Sequence, residues 1–218
     1  MRIAELSQRT GVPVPTIKFY LRERLLPPGE RTSPNQARYD ESHVRRVRLV
    51  RALTEVGGLS IARAREVLES MHVTGRTPLE SMGKAHFAVM PDRDPQDDPA
   101  YADAERQVDA LLERRGWTVR PTNPARRSLA EALAYLTRLG LADALPLLDD
   151  YADAAERLAV PELDLVAGRP DVESMAETAV TLSILGDALL AALRRLAQES
   201  EASARFRSPG ASPAGPGE

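Results

Sequence analysis

Apolar residues recur at helical spacing in two short stretches near the amino terminus. The first stretch predicts a helix over residues 3–10 that Gly11 ends, and the second predicts a helix from Pro15 to about Arg24. Proline suits the first turn of a helix, and glycine favours its end. The inward positions are Ile3, Leu6, Ile17, Tyr20 and Leu21. A tight Gly-Val-Pro turn joins the two stretches, so the sequence predicts a helix-turn-helix.

A Pro/Gly-rich loop and two more helices are predicted to follow. The loop covers residues 27–37, and Arg38 with Tyr39 closes it as a small hairpin or wing. Asp40 is predicted to cap a third helix that a Gly-Gly pair ends, and Ser60 is predicted to cap a fourth. The inward residues are Val44, Val47, Val50 and Leu53 in the third helix, and Ile61, Ala64 and Leu68 in the fourth.

The remaining two thirds of the chain predict a helical body. Pro161 and the Gly-Arg-Pro sequence at 168–170 are expected to break it, because proline disfavours a helix interior. The predicted helices cover residues 79–89, 101–115, 123–136, 142–158 and 171–198. An acidic, Pro-rich linker is expected over 91–99, and the last 18 or so residues have a composition that favours disorder.

The predicted fold class is therefore all-α: an N-terminal winged helix-turn-helix followed by a C-terminal α-helical domain. The predicted divisions are a head at 1–72, a helix and linker at 73–99, a helical effector and dimerisation body at 100–199, and a disordered tail at 200–218.

Charge is divided unequally between the head and the rest. Residues 1–65 hold 13 of the 29 basic residues but only 6 of the 32 acidic residues. A basic head on an acidic body is what a polyanion-binding module with a separate domain requires. Only two of the basic residues are lysines, and this bias with abundant alanine indicates a high-GC, bacterial coding sequence.

Several classes of function are excluded or disfavoured. The chain has no cysteine, so disulfides, thiolate metal sites and cysteine catalysis are excluded. His43, His72 and His86 lie far apart in no metal-ligand spacing, and no Gly-rich phosphate loop is present. No signal pattern is found, and charged residues interrupt the most apolar run, 176–193. We therefore expect a cytoplasmic protein with no cofactor, no metal, no membrane contact and no enzymatic activity.

The outer face of the second helix, the wing and the third helix supply candidate DNA contacts. Thr, Lys and Arg side chains suit base edges and phosphates, and wing arginines suit a minor groove or the backbone. The candidates are Pro15, Thr16, Lys18, Phe19, Tyr20, Arg22, Arg31, Arg38, Tyr39, His43, Arg45 and Arg46. The alternative is a set of solvated charges on ordinary helices, and this interpretation is kept for Arg51, Arg63 and Arg65.

The head resembles the winged helix-turn-helix of the MerR family of bacterial transcription regulators. Over roughly the first 70 residues, the matching segments in order are IAELSQRTGV, PTIKFYLRERLLPP, RYD and VRRVRLVRALTEVGGLSIARAREVL. The resemblance implies a homodimer on a near-palindromic promoter. It also implies activation by distorting an over-long promoter spacer, so that RNA polymerase engages both elements. It places Thr16, Lys18, Tyr20 and Arg22 in the recognition helix, and Arg31, Arg38 and Tyr39 in the wing.

Two departures from the family pattern change these expectations. Metal- and oxidant-sensing members use cysteines, and this chain has none. The family's long dimerisation helix should follow residue 70, but Gly-Arg-Thr-Pro at 75–78 and the Pro-rich stretch interrupt that region. Dimerisation is therefore expected to rest on the body, and spacer distortion is less firmly implied than DNA binding.

The body is loosely similar to the ligand-binding and dimerisation domains of TetR-type regulators. The similarity rests on helix order and on the apolar final helix MAETAVTLSILGDALLAALRRLAQ, which is either a central core helix or a dimer-interface helix. Met and aromatic side chains are either ordinary core or the lining of a pocket for a small-molecule effector. These are Met82, Met90, Trp117, Tyr135, Tyr151 and Met175.

The sequence thus predicts a MerR-type transcription regulator that binds double-stranded DNA as a dimer and senses a signal in its body. The alternative is a sequence-independent, architectural DNA-associated protein. A helical enzyme with a basic accessory head is a third possibility, which nothing in the body supports.

Overall fold

The computed structural model describes residues 1–33, 36–71 and 98–206, whose regular elements are helices and one hairpin. The head contains α1 (Ile3–Thr10), α2 (Val14–Arg22), β1 (Glu30–Ser33), β2 (Gln36–Arg38), α3 (Glu41–Arg51) and α4 (Ile61–Ser70). The body contains α5 (Pro99–Arg115), α6 (Pro124–Arg138), a 3₁₀ turn (Ala142–Ala144), α7 (Leu147–Ala167) and α8 (Val172–Phe206). The predicted all-α class is confirmed. The helix expected at 79–89, most of the linker and residues 207–218 lie outside the described residues.

The turn between α1 and α2 forms as its sequence predicts. Gly11 has φ +70°, a left-handed conformation that glycine adopts without strain, and its N–H donates to the Ser7 carbonyl at 2.9 Å. The Ser7 hydroxyl donates to the Val12 carbonyl at 2.7 Å. Val12 is thereby held in the core beside α1 and α2.

The third helix is capped as predicted but ends in a wider turn than an α-helix. Asp40 accepts hydrogen bonds from the backbone N–H groups of Ser42 and His43. After Arg51, residues Ala52–Val56 form a π turn, in which Gly57 donates to the Ala52 carbonyl five residues back at 2.9 Å. Sequence periodicity did not distinguish this turn from an α-helix, because Leu53 is fully buried in either case.

The hydrophobic core of the head includes residues from the far end of the chain. Leu6, Ile17, Val47 and Leu68 are among its buried members from the head's own helices. The first half of α8 contributes Ala176, Val180 and Ile184 to the same core. The head and α8 therefore share one core, although about a hundred residues separate them in sequence.

A second core lies between α5 and α6, and ion pairs connect it to α7. Its buried residues are Tyr101, Ala104, Val108, Ala130, Leu133 and Ala134. Arg114 and Arg115 each donate to the Asp149 carboxylate at 3.0 Å. These two guanidinium groups, Arg115 first, lower the pKa of Asp149 below its ordinary value. Asp149 thus holds α7 against the end of α5.

Two sequence predictions for the body are wrong. Pro161 does not break α7, which is continuous from Leu147 to Ala167. Pro161 lies on an exposed face with Arg157, so water can satisfy the carbonyl that a proline leaves without its helical donor. Likewise α8 does not end near residue 198 but continues to Phe206, because Ala, Glu and Arg favour helix and Glu201 pairs with Arg205 at 3.4 Å.

Within the described residues, α8 is one helix that is long and apolar enough to span a membrane by length and composition, with a mean hydropathy of 1.5 over 18 residues. A single such helix is weak evidence, and core helices of ordinary proteins meet the same criterion. The first half of α8 is in fact part of the head's core.

Gly57→Ala is expected to destabilise the packing of α8 on the head. A Cβ at Gly57 would lie 2.7 Å from Ile184 Cγ2 and 2.8 Å from the Leu53 carbonyl oxygen. Overpacking of this kind costs about 1–3 kcal/mol, which urea unfolding of the purified variant would measure. The matched control is Gly168→Ala, whose Cβ would meet its nearest atom at an ordinary 3.5 Å. Equal stability of the two variants would contradict the close contact between the π turn and α8.

Candidate nucleic-acid interface

Helix α2 separates a buried side from an exposed, polar side. Ile17 and Tyr20 are buried in the head, whereas Lys18 and Arg22 are exposed on the outer face with Pro15. Thr16 and Phe19 are half-buried at the borders of that face. The separation follows from helical spacing, because positions 15, 18 and 22 lie on one face of the helix. An exposed helix face of this kind, braced by α1, has the arrangement that enters a major groove.

The wing is a two-stranded antiparallel hairpin at one end of α2. Arg31 lies opposite Ala37 in the register, and Arg38 lies opposite Glu30, with both arginines exposed. Gly29 permits the close approach of the strands, since a Cβ there would lie 2.5 Å from the Arg38 carbonyl oxygen. The predicted hairpin after the Pro-Pro-Gly sequence is confirmed.

The base of the wing is tied to the amino end of α1. The Met1 amino group donates to the Tyr39 carbonyl at 2.7 Å, and the Tyr39 N–H donates to the Met1 carbonyl at 2.8 Å. These bonds place the wing beside α1 and α2. The three elements enclose a surface concavity of about 440 Å³, whose lining includes Arg2, Lys18 and Arg31.

The concavity brings together cations that are distant in sequence. Sequence reasoning named Lys18 and Arg31 but missed Arg2, which is exposed at the amino end of α1. No local pattern marks Arg2, because only the pairing of Met1 with Tyr39 brings it next to the wing. We define the head surface as Arg2, Lys18, Arg22, Arg31 and Arg38.

Ion pairing divides the arginines of the head into two groups. Arg9 pairs with Glu41, and further pairs join Arg51 to Glu55, Arg63 to Glu66 and Arg65 to Glu23. Among the described residues, none of the five cations of the head surface forms such a pair. Unpaired, exposed cations on one surface attract a polyanion, since no internal carboxylate must first be displaced.

Four other candidate DNA contacts are buried in the head or hydrogen-bonded within it. Tyr20 and Tyr39 are 6% and 7% exposed, and burial raises the pKa of each phenol. The Arg46 Nε–H donates to the Leu25 carbonyl at 2.9 Å, and burial lowers the pKa of this guanidinium. DNA contact by these residues, and by His43, stays a prediction that we do not carry into the proposal below.

His43 belongs to the cap of α3. Its Nδ1 lies 2.8 Å from Asp40 Oδ1, and its ring stands edge-on to Tyr39 with the centroids 5.2 Å apart. Hydrogen bonds from Ser42 and then His43 hold the pKa of Asp40 well below its usual range. Arg45, by contrast, is exposed on α3 and lines a surface depression with the start of α8.

The described residues contain no group of three or more His, Asp or Glu side chains placed to hold a metal ion.

Of the residues proposed to line an effector pocket, Tyr135 and Tyr151 are about half exposed, and the Trp117 indole N–H donates a hydrogen bond to Glu156. Met82 and Met90 lie outside the described residues.

Comparisons with known proteins agree with this geometry. Residues 1–71 match the model of the MerR HTH family regulatory protein. Nodulation protein NolA of Bradyrhizobium elkanii is 38% identical over 86 residues, which are 39% of this chain and 36% of NolA. The HTH-type transcriptional regulator ZntR homolog of Haemophilus influenzae is 38% identical over 50 residues, 23% of this chain and 37% of that protein. The chain therefore spans little more than a third of the curated relatives it matches.

A solved structure is similar over the whole length. The crystal structure of SCO5550 from Streptomyces coelicolor A3(2), a proposed transcriptional regulator, superposes with a TM-score of 0.77. It is 40% identical in sequence, and the match covers 97% of this chain and 100% of that one. Both the head and the helical body are thus shared with a relative described as a regulator and not as an enzyme. The chain belongs to the MerR family of helix-turn-helix regulatory proteins.

Proposed function

We propose that this MerR-type regulator binds a near-palindromic promoter site as a dimer and responds to a signal sensed in its helical body. The observation that carries the proposal is the head surface. Its five cations are exposed and form no internal ion pair among the described residues, and three of them, Arg2, Lys18 and Arg31, line one concavity between α1, α2 and the wing.

In the proposed complex, α2 enters the major groove. Lys18 and Arg22 then face base edges and phosphates, with Thr16 at the border of the same face. The wing arginines, Arg31 and Arg38, lie to one side of α2, where they would contact the backbone or the adjacent minor groove. Contact at several phosphates makes binding strongly dependent on salt.

The family's regulatory mechanism forms the finer part of the proposal. A dimer presents two recognition helices related by a two-fold axis, which matches an inverted repeat. Distortion of an over-long promoter spacer would then allow RNA polymerase to engage both promoter elements.

The position of α8 supports control of the head by the body. The first half of this helix is in the core of the head, and it also packs antiparallel against α7 in the body. Ile184 touches the π turn that ends α3. A ligand that shifts α8 in the body would therefore move a helix that also belongs to the DNA-binding part, as coupling between two sites requires. The loose similarity of the body to TetR-type domains stays a prediction.

Lys18→Ala and Arg38→Ala are each expected to weaken DNA binding without unfolding the head. Loss of one contact of this kind costs about 1–3 kcal/mol of binding free energy, and loss of a phosphate contact lowers the salt slope by about one. Both side chains are exposed, so the free energy of unfolding should change by less than about 0.5 kcal/mol. Fluorescence anisotropy with duplex DNA at several salt concentrations measures these effects.

The matched control is Arg63→Ala, because Arg63 is a head arginine whose guanidinium pairs with Glu66. This variant should bind DNA like the unaltered protein. Equal losses in all three variants would show that binding follows net charge and not the head surface.

Selection of genomic fragments bound by the full-length protein is expected to yield an inverted repeat. Nuclease footprinting should then show two protected half-sites. The protein should bind this DNA at least about a thousandfold more tightly than random competitor DNA. Equal displacement by random competitor would instead favour the architectural, sequence-independent alternative.

A further inference from the structure

Lysine is rare in this chain, and one of its two lysines lies in the helix with the DNA-facing side chains. The sequence holds 29 basic residues, of which only Lys18 and Lys84 are lysines. A guanidinium stays protonated, whereas a lysine amine can lose its proton and attack a carbonyl carbon. Lys18 therefore gives the head surface a reactivity that the four arginines of the same surface lack.

The concavity beside α2 surrounds Lys18 with positive charge. Arg2 comes from the amino end of α1 and Arg31 from the wing, and both are exposed. None of the described residues that line the concavity is acidic. Two guanidinium groups at one concavity suit a phosphate group, because each presents paired N–H donors to the phosphate oxygens.

The same concavity has an apolar wall. Ile3, Leu21 and Ala37 line it, and each is half-buried and packed against the core of the head. The volume of about 440 Å³ is in the range of small-molecule sites. The concavity thus combines guanidinium groups for a phosphate, an apolar wall for a hydrocarbon group, and one amine.

We propose that Lys18 is a modification site, and that an acyl phosphate acylates its amine after the phosphate group binds Arg2 and Arg31. The acylation itself does not depend on the proposed function; only its effect on DNA binding rests on that function. The site adds an input at the head, separate from any signal sensed in the body.

The reaction is an acyl transfer to nitrogen. The unprotonated Nζ of Lys18 attacks the carbonyl carbon of the acyl phosphate and forms a C–N bond, and the bond from that carbon to the phosphate oxygen breaks. Inorganic phosphate leaves with the electron pair, and the proton lost by the amine passes to phosphate or water. Arg2 and Arg31 stabilise the leaving phosphate, because negative charge grows on its oxygens in the transition state. Nothing is oxidised or reduced.

Acylation of Lys18 and DNA binding oppose each other. An amide at this position carries no charge, so the outer face of α2 loses a cation where it faces the duplex. A bound duplex in turn covers Lys18 and occupies the neighbouring arginines, so the acyl donor reaches only the free protein. A rise in acyl phosphate would therefore lower the fraction of protein bound to DNA.

Two acetylating reagents separate a binding site from simple accessibility. The full-length protein, without DNA, is treated with acetyl phosphate or with the uncharged N-hydroxysuccinimide ester of acetic acid, and mass spectrometry measures the acetylation rates of Lys18 and Lys84. The ratio of the Lys18 rate to the Lys84 rate should be about tenfold or more higher with acetyl phosphate than with the ester, since a cationic cleft concentrates anions. Equal ratios with the two reagents would overturn the proposal.

Charge removal tests the phosphate subsite. A double variant, Arg2→Ala with Arg31→Ala, should lower the ratio for acetyl phosphate to the ratio for the ester. The matched control is Arg38→Ala, which removes an exposed cation of the head surface that does not line the concavity. Circular dichroism confirms that both proteins are folded. An unchanged ratio in the double variant, or an equal loss in the control, would contradict binding of the phosphate by Arg2 and Arg31.

Fluorescence anisotropy with duplex DNA tests the effect on function. Acetylation of Lys18 should weaken binding about fivefold or more, as Lys18→Ala does. Lys18→Arg keeps the charge but has no amine to acylate, so its affinity should be the same before and after treatment with acetyl phosphate. A loss of binding in the treated Lys18→Arg protein would overturn Lys18 as the site of control. If Lys18 is acetylated as described but the untreated protein binds no duplex, only the proposed function fails.

Discussion

The packing of α8 into the head is the contact on which the rest of the structure depends. Ala176 and Val180 are fully buried among side chains of the head, and Ile184 lies against the π turn at Gly57. Burial of apolar surface contributes about 25 cal/mol per Å², so a helix face of this size is a substantial part of a small domain's core.

The electrostatics of the head depend on which arginines the fold uses internally. Pairs such as Arg9 with Glu41 and Arg65 with Glu23 join elements of the head to one another. Arg46 is held by the Leu25 carbonyl and lies near Glu177 and Glu173 of α8, so it belongs to the junction between head and body. Of the exposed cations outside these contacts, Arg2, Lys18 and Arg31 share the concavity beside α2 and the wing, whereas Arg45 and Arg48 lie on α3.

One helix therefore connects the head to the body. The first half of α8 supports the domain that carries the recognition helix, and its second half carries exposed leucines.

The sequence by itself determined the elements of the head, because its signals are local. Gly11 ends α1, Asp40 caps α3, Pro-Pro-Gly precedes the hairpin, and helical spacing separates Ile17 and Tyr20 from Lys18 and Arg22. Tertiary structure alone decided what depends on distant contacts: the position of Arg2 beside the wing, the use of Arg46 at the α3–α8 junction, and the division of α8 into a buried and an exposed half. Local pattern also failed at Pro161, where solvent exposure allows the helix to continue. Periodicity shows that a helix has an apolar face, but only the packed structure shows which neighbour covers it.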